Sequence, residues 1–199
     1  MKRQGFSLVE ILIVSAIAMS IVIVVSNLSG NISLLNGLVS QELQSKSDTS
    51  QTLQIVTTDI RSASPSANGA YAIHAAATGS FTFYTDQNGD GRADRVRYFL
   101  SSSSIYRGAI SPTGTPATYP TSTEVLTDMI DNVTVPTSTT LFKYYDASYT
   151  GTQPAMTSTV DVTNIRLVGM SFYSDAQPKQ SPGPQYFSVM VDIRNLRSN

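Results

Sequence analysis

From Phe6 to Ser64 the chain contains no proline, and apolar residues recur at steps of three and four. The spacing therefore predicts a single helix of about 58 residues, roughly 87 Å at 1.5 Å per residue. Pro65 is its first hard stop. The character of this helix changes along its length. Between Phe6 and Val25, Ile, Val, Leu, Met and Ala fill nearly every position and Glu10 is the one charge. About twenty such residues match the roughly 30 Å hydrocarbon core of a bilayer, so the segment can cross a membrane. Beyond it the apolar positions narrow to a stripe, Leu28, Ile32, Leu35, Val39 and Leu43, then Leu53, Val56 and Ile60. The first half suits lipid or a bundle of like helices, and the second suits a sheet. Gly30 and Gly37, with Ser26, Asn27, Ser29 and Asn31, are weak helix formers at which such a spine bends or partly melts.

A secretory signal peptide would close its apolar region with a small-x-small cleavage site, and Ser26-Asn27-Leu28-Ser29-Gly30 matches that poorly. Glu10 also requires a reason, because an acidic side chain at the bilayer centre costs about 2.5–3.5 kcal/mol on insertion scales. The run Lys2-Arg3-Gln4-Gly5 against Phe6-Ser7-Leu8-Val9-Glu10-Ile11-Leu12 resembles the prepilin leader of type IV pilins and type II secretion pseudopilins. The resemblance implies scission between Gly5 and Phe6 by a prepilin peptidase, methylation of the new amino terminus, and retention of the apolar segment. It also implies that Glu10 pairs with the terminal amine of a neighbouring subunit, which accords with the tolerance of a buried charge that carries its counterion with it. The alternative is an uncleaved signal anchor with Glu10 solvated near the interface. Many major pilins of Gram-negative bacteria carry a disulfide near the carboxyl end and a proline within the helix. This chain has no cysteine, which favours a minor pilin or pseudopilin over a main fibre subunit, and no such proline, which weakens the expectation of local melting.

The expected organisation is a leader at 1–5, a transmembrane and assembly helix at 6–26, its amphipathic continuation at 27–64, and a β-rich extracytoplasmic domain at 65–199. The fold class is α+β and pilin-like: a long helix on an antiparallel sheet of about five to seven strands. The charged fraction of 14 % and a net charge of −1 give no field that would recruit nucleic acid. Without cysteine, thiol catalysis and thiolate metal sites are excluded.

Residues 65–80 read as loop, with a short strand at Tyr71-Ala72-Ile73 and the sole histidine, His74, assigned no role. Alternation in Phe81-Thr82-Phe83-Tyr84-Thr85 and in Val96-Arg97-Tyr98-Phe99-Leu100 predicts a β-hairpin. The hairpin, with Tyr106-Arg107 after it, is similar to that of W-type minor pilins and J-type pseudopilins. Its connection, Asp86-Gln87-Asn88-Gly89-Asp90-Gly91-Arg92-Ala93-Asp94, places hard oxygen ligands at alternate positions, as the first part of a calcium loop does. Arg97 occupies the twelfth position, where an EF-hand needs glutamate, so an EF-hand is excluded. Two readings stand: a shorter calcium site using Asp86, Asn88, Asp90, the Arg92 carbonyl and Asp94, or a tight turn whose aspartates cap backbone amides.

Residues 101–164 are rich in Ser, Thr, Pro and Gly, with brief apolar segments at Ile105-Tyr106, Val125-Leu126, Met129-Ile130, Leu141 to Tyr145 and Val160 to Val162. Tyr106, Tyr119, Tyr144, Tyr145 and Tyr149 form either a contact patch or packing under these loops. A strand over 164–173, a proline-rich connection at Pro178, Pro182, Gly183 and Pro184, and a closing strand around Phe187, Val189, Val191 and Ile193 complete the domain. No G-x-S-x-G, Walker or H-E-x-x-H motif is present, so the chain is not expected to be an enzyme. The function these residues imply is that of a minor pilin or pseudopilin in the inner membrane, which primes or joins a filament with other minor subunits, a major pilin and an inner-membrane assembly platform. The alternative is a filament-tip binding module using the 101–164 loops.

Overall fold

The computed structural model describes residues 7–157, 160–175, 178 and 183–196. The leader and Phe6 lie outside the described residues, as does Pro182 of the expected proline-rich connection. Helix α1 runs from Leu8 to Arg61 without interruption, three residues short of the sequence expectation at its carboxyl end. The Ser7 carbonyl accepts its first bonds, from the amides of Glu10 at 3.0 Å and Ile11 at 3.3 Å. At the other end the chain leaves the helix through Ser62-Ala63-Ser64 ahead of Pro65, whose ring and missing N–H forbid another turn.

The chain divides into two compact units, Met1–Lys46 and Ser47–Asn199. In the first, Leu8–Ser29 is a 22-residue stretch long and apolar enough to cross a membrane, and none of it is buried by the protein. The hydroxyls of Ser15, Ser20 and Ser29 donate to carbonyls three or four residues back, at 2.9 Å each. Each is thereby satisfied without water, as a polar group in an apolar medium must be. Leu35, Val39 and Leu43 continue the apolar exposure beyond this stretch.

The second unit takes in the last turns of α1 and everything after them. Leu53, Val56, Ile60 and Ala63 are buried, Val56 and Ile60 completely. Their spacing of three, four and three places them on one stripe, as the sequence predicted. They pack into a core with Phe81, Phe83, Val96 and Tyr98, the inward residues of a five-stranded antiparallel sheet. Its strands are β1 (Ile73–Ala77), β2 (Ser80–Thr85), β3 (Asp94–Ser101), β4 (Ser104–Ile110) and β5 (Val125–Ile130), paired in chain order. The predicted hairpin is β2–β3, in register from Ser80 opposite Phe99 to Thr85 opposite Asp94.

The expectation of one sheet is corrected: a second, four-stranded antiparallel sheet contains β6 (Val133–Thr134), β7 (Phe142–Tyr145), β8 (Leu167–Ser174) and β9 (Gln185–Asp192). β9 pairs along the whole of β8, and β6 and β7 pair with opposite ends of β8. The break between the sheets falls at Asn132, whose φ of 53° turns the chain out of the β5 ladder. Aromatic packing joins the layers, with Phe81 6.1 Å from Phe142 and 5.6 Å from Tyr144 between ring centroids. The buried Tyr144 hydroxyl donates to the carbonyls of Ala77 at 2.7 Å and Ser80 at 3.1 Å, in the turn between β1 and β2. Two shorter expectations also change. The first strand is Ile73–Ala77 rather than 71–73, and the strand expected over 164–173 is Leu167–Ser174, because Val162–Asn164 is a 3₁₀ turn capped by Asp161, which accepts from the Thr163 amide. Aspartate at an N-cap competes successfully with a strand ladder there.

One polar cluster interrupts the packing of helix on sheet. Asp59 Oδ2 accepts from the Tyr98 hydroxyl at 2.7 Å, Gln87 Nε2 at 3.1 Å and Arg107 Nε at 3.2 Å. Side-chain exposure of Arg107 and Asp59 is only 20 % and 16 %, so screening by solvent is limited. Removing the carboxylate strands a mostly buried guanidinium and the Tyr98 hydroxyl together. Asp59→Ala is expected to destabilise the full chain in detergent micelles by about 3 kcal/mol, read as a lowered denaturation midpoint, with Asp59→Asn costing less because it keeps an acceptor.

Candidate functional site

Two places in the β-rich unit concentrate polar chemistry: the β2–β3 turn and the face of the five-stranded sheet turned away from α1. The turn is built by its own carboxylates. Asp86 accepts from the Gly89 amide at 2.8 Å with Oδ1 and from the Gly91 amide at 2.9 Å with Oδ2. Asp90 Oδ1 accepts from the Arg92 amide at 2.8 Å, its Oδ2 from Asn88 Nδ2 at 3.0 Å, and Asn88 Oδ1 accepts from the Asp90 amide at 3.1 Å. Gly89 and Gly91 sit at φ of 73° and 79°, a conformation costly to residues with a Cβ. These are the features of the amide-capping turn. Among the described residues no three His, Cys, Asp or Glu side chains are grouped to hold a metal ion.

Asp94 stands apart from the others. It opens β3, is 5 % exposed, and its Oδ1 has no hydrogen-bond partner among the described residues. Burial pushes its carboxyl above the ordinary range; a Ser111 hydrogen bond opposes this, and the charges of Asp90 and Asp86 add to it. The folded state therefore holds this proton more tightly than the unfolded chain does. The associated stability is full below the unfolded value of 3.8 and is lost as pH rises through the higher folded value.

Period-two alternation puts Thr82, Tyr84, Arg95 and Arg97 on the far face of the sheet, opposite the core residues Phe81, Phe83, Val96 and Tyr98. Thr82 and Tyr84 are nevertheless 8 % and 4 % exposed. The connection from β4 to β5 covers them. Tyr119 in that connection lies 5.1 Å from the Tyr84 ring and donates its hydroxyl to the Ala93 carbonyl at 2.7 Å. Glu124, just before β5, takes two bonds from Arg97, at 3.1 Å from Nε and 2.9 Å from Nη2. It comes close to the sheet because residue 108 beneath it is glycine: a Cβ there would overlap Glu124 Oε1.

Between this connection and strands β1–β3 lies a cleft of about 470 Å³, lined by His74, Thr82, Arg95, Arg97, Thr121 and Glu124. Arg97 is neutralised by Glu124 and stacks over Phe99 at 4.1 Å. Arg95 lies over the Tyr119 ring at 5.9 Å, and no carboxylate among the described residues pairs with it. The Tyr84 hydroxyl and His74 Nδ1 share a 3.2 Å hydrogen bond. Partial burial and then the Arg95 charge hold His74 below its ordinary value of 6.5, so the ring is neutral at pH 7.

His74 was given no role on sequence, and the alternation of Thr82, Tyr84, Arg95 and Arg97 was the available signal for a shared face. The five tyrosines do not form one patch. Tyr144 lies in the core, Tyr145 and Tyr149 pair at 4.2 Å, Tyr106 stacks on Phe99 at 5.7 Å, and Tyr119 covers the cleft. Glu10 lies exposed in the first turn of α1, and Gly5 and Phe6 lie outside the described residues.

The chain is similar in structure to one from the GspK-GspI-GspJ complex of the enterotoxigenic Escherichia coli type 2 secretion system. That similarity covers 75 % of this chain and 97 % of the other, with 14 % identity and a TM-score of 0.47. No protein-family model matches the sequence, and no curated protein matches it significantly.

Asp94 yields a prediction independent of any ligand. Replacing it with asparagine removes a carboxyl whose ionisation burial penalises, so Asp94→Asn is expected to raise the thermal midpoint at pH 7 in the presence of chelator. The shift is about 2–4 °C for each 1 kcal/mol recovered. It is also expected to flatten the decline of stability as pH rises above 3.8, which thermal scans across pH 4–7 would measure.

Proposed function

We propose that this chain is a minor pilin or pseudopilin: a membrane-inserted subunit, processed between Gly5 and Phe6, that enters a filament through α1. The observation that carries the reading is the joint occurrence of the basic stub, Gly5, Phe6 and Glu10 at the head of a 22-residue apolar helix with no protein covering it. Exposed apolar side chains from Leu8 to Leu28 need a nonaqueous partner, and lipid followed by neighbouring helices provides one. Lys2 and Arg3 ahead of the span favour an amino terminus on the cytoplasmic side, which supports a reading in which the β-rich unit lies outside the inner membrane. In this scheme Glu10 is compensated by the amine of Phe6 on an adjoining subunit. The partners are a prepilin peptidase, other minor subunits, a major pilin and the assembly platform, with energy from a separate cytoplasmic ATPase.

The experiment is a processing blot with a filament-incorporation assay. Gly5→Ala is expected to abolish the mobility shift of cleavage, and Glu10→Ala to insert and be processed normally while its recovery in filaments falls at least tenfold. Wild-type mobility of the Gly5 variant would overturn the reading.

Calcium is a second, separable proposal, favoured by the unpartnered Oδ1 of Asp94, whose ionisation the charges of Asp90 and Asp86 oppose. A divalent cation there would reverse the cost of ionising Asp94. Millimolar calcium is then expected to raise the thermal midpoint of the wild type and leave that of Asp94→Asn unchanged. Equal midpoints for wild type with and without calcium would reject it.

A further inference from the structure

The cleft on the far face of the five-stranded sheet has a charge and hydrogen-bonding pattern that the filament reading does not use. Its formal charges are Arg95, Arg97 and Glu124, and the last two cancel across a two-bond pair. One guanidinium, that of Arg95, is left facing the cleft without a carboxylate among the described residues. A guanidinium fork is shaped to take both oxygens of a carboxylate. Around it the lining alternates donors and acceptors: the hydroxyls of Thr82 and Thr121, the imidazole of His74, and the remaining lone pairs of the Glu124 carboxylate. The volume of about 470 Å³ lies inside the roughly 300–1,000 Å³ range of small-molecule pockets.

We infer that this cleft binds a hydroxyl-rich monoanion, a carboxylate-bearing sugar such as a uronic acid, with its carboxylate on Arg95 and its hydroxyls shared among Thr82, Thr121 and His74. A single uncompensated cation selects one negative charge. A phosphate dianion would meet the repulsion of Glu124 without a second free cation to offset it. The neutral His74 ring supplies hydrogen bonding without adding charge. Arg95 is itself held by the Tyr119 ring, so the fork is positioned before a ligand arrives. The wall formed by Thr121 and Glu124 belongs to the connection between β4 and β5, so ligand specificity resides in that connection as well as in the sheet.

His74 is the only histidine in the chain, which makes its ring resonances a single-site reporter in the full-length protein. The test is titration of the full chain, in a detergent lacking sugar groups, with sodium glucuronate, and with glucose and inorganic phosphate as separate arms. Glucuronate is expected to give a saturable shift of the His74 ring signals at millimolar concentration, with glucose and phosphate at least tenfold weaker. Arg95→Gln should weaken glucuronate binding at least tenfold, and Arg95→Lys should retain part of it. Glu124→Gln, which releases Arg97, should tighten binding severalfold; it keeps the inference testable if Arg95→Gln proves unstable. No shift up to 50 mM glucuronate (about fiftyfold above a millimolar dissociation constant), an equal shift with glucose or phosphate, or weaker binding by Glu124→Gln would overturn the inference. None of these readouts involves processing or filament assembly, so this proposal and the filament reading fail separately.

Discussion

The β-rich unit depends on one side of the last turns of α1. Val56 and Ile60 are fully buried against Phe81, Phe83, Val96 and Tyr98, and the polar residue between them, Asp59, bonds to Tyr98, Gln87 and Arg107. Apolar contact supplies most of the attraction, roughly 25 cal/mol per Å² removed from water, but it is non-directional. The Asp59 bonds are directional. Through Tyr98 on β3 and Arg107 on β4 they fix the helix's rotation and its height on the sheet, because Tyr98 and Arg107 are themselves paired in register. Gln87 draws the β2–β3 turn into the same cluster, so the turn and the helix end share one anchor.

Much of this arrangement was legible in the sequence. The uninterrupted helical stripe, the Pro65 stop and the alternation on both sides of the Asp86–Asp94 turn each rest on a local rule that tertiary contacts did not override. The division into two sheets was not legible. It depends on Asn132 adopting a positive φ and on Tyr144 reaching the carbonyls of Ala77 and Ser80, contacts between residues more than sixty positions apart. In the sequence β4 and β5 show only as brief apolar segments, because Gly108, Arg107 and Asp128 dilute their apolar content. Their ladders are held by neighbours on the sheet, and strand propensity describes such neighbours poorly.

The candidate sites divide along the same line. A spaced set of aspartates is visible in sequence, and the structure accounts for Asp86 and Asp90 through backbone amides while leaving one oxygen of Asp94 unmatched. The cleft was invisible because its residues come from β1, β2, β3 and a distant connection, and no local pattern brings His74 near Thr121. Period-two alternation placed Thr82, Arg95 and Arg97 on a common face, yet without the covering segment that face reads as ordinary solvated surface.

At Gly108 the covering segment lies against the sheet so closely that a Cβ would overlap Glu124 Oε1. A single absent methyl group lets an acid settle flat on the strand and quench one of two adjacent arginines, leaving the other uncompensated. The cleft's selectivity for charge is therefore set from underneath, by a backbone position that contributes no functional group of its own.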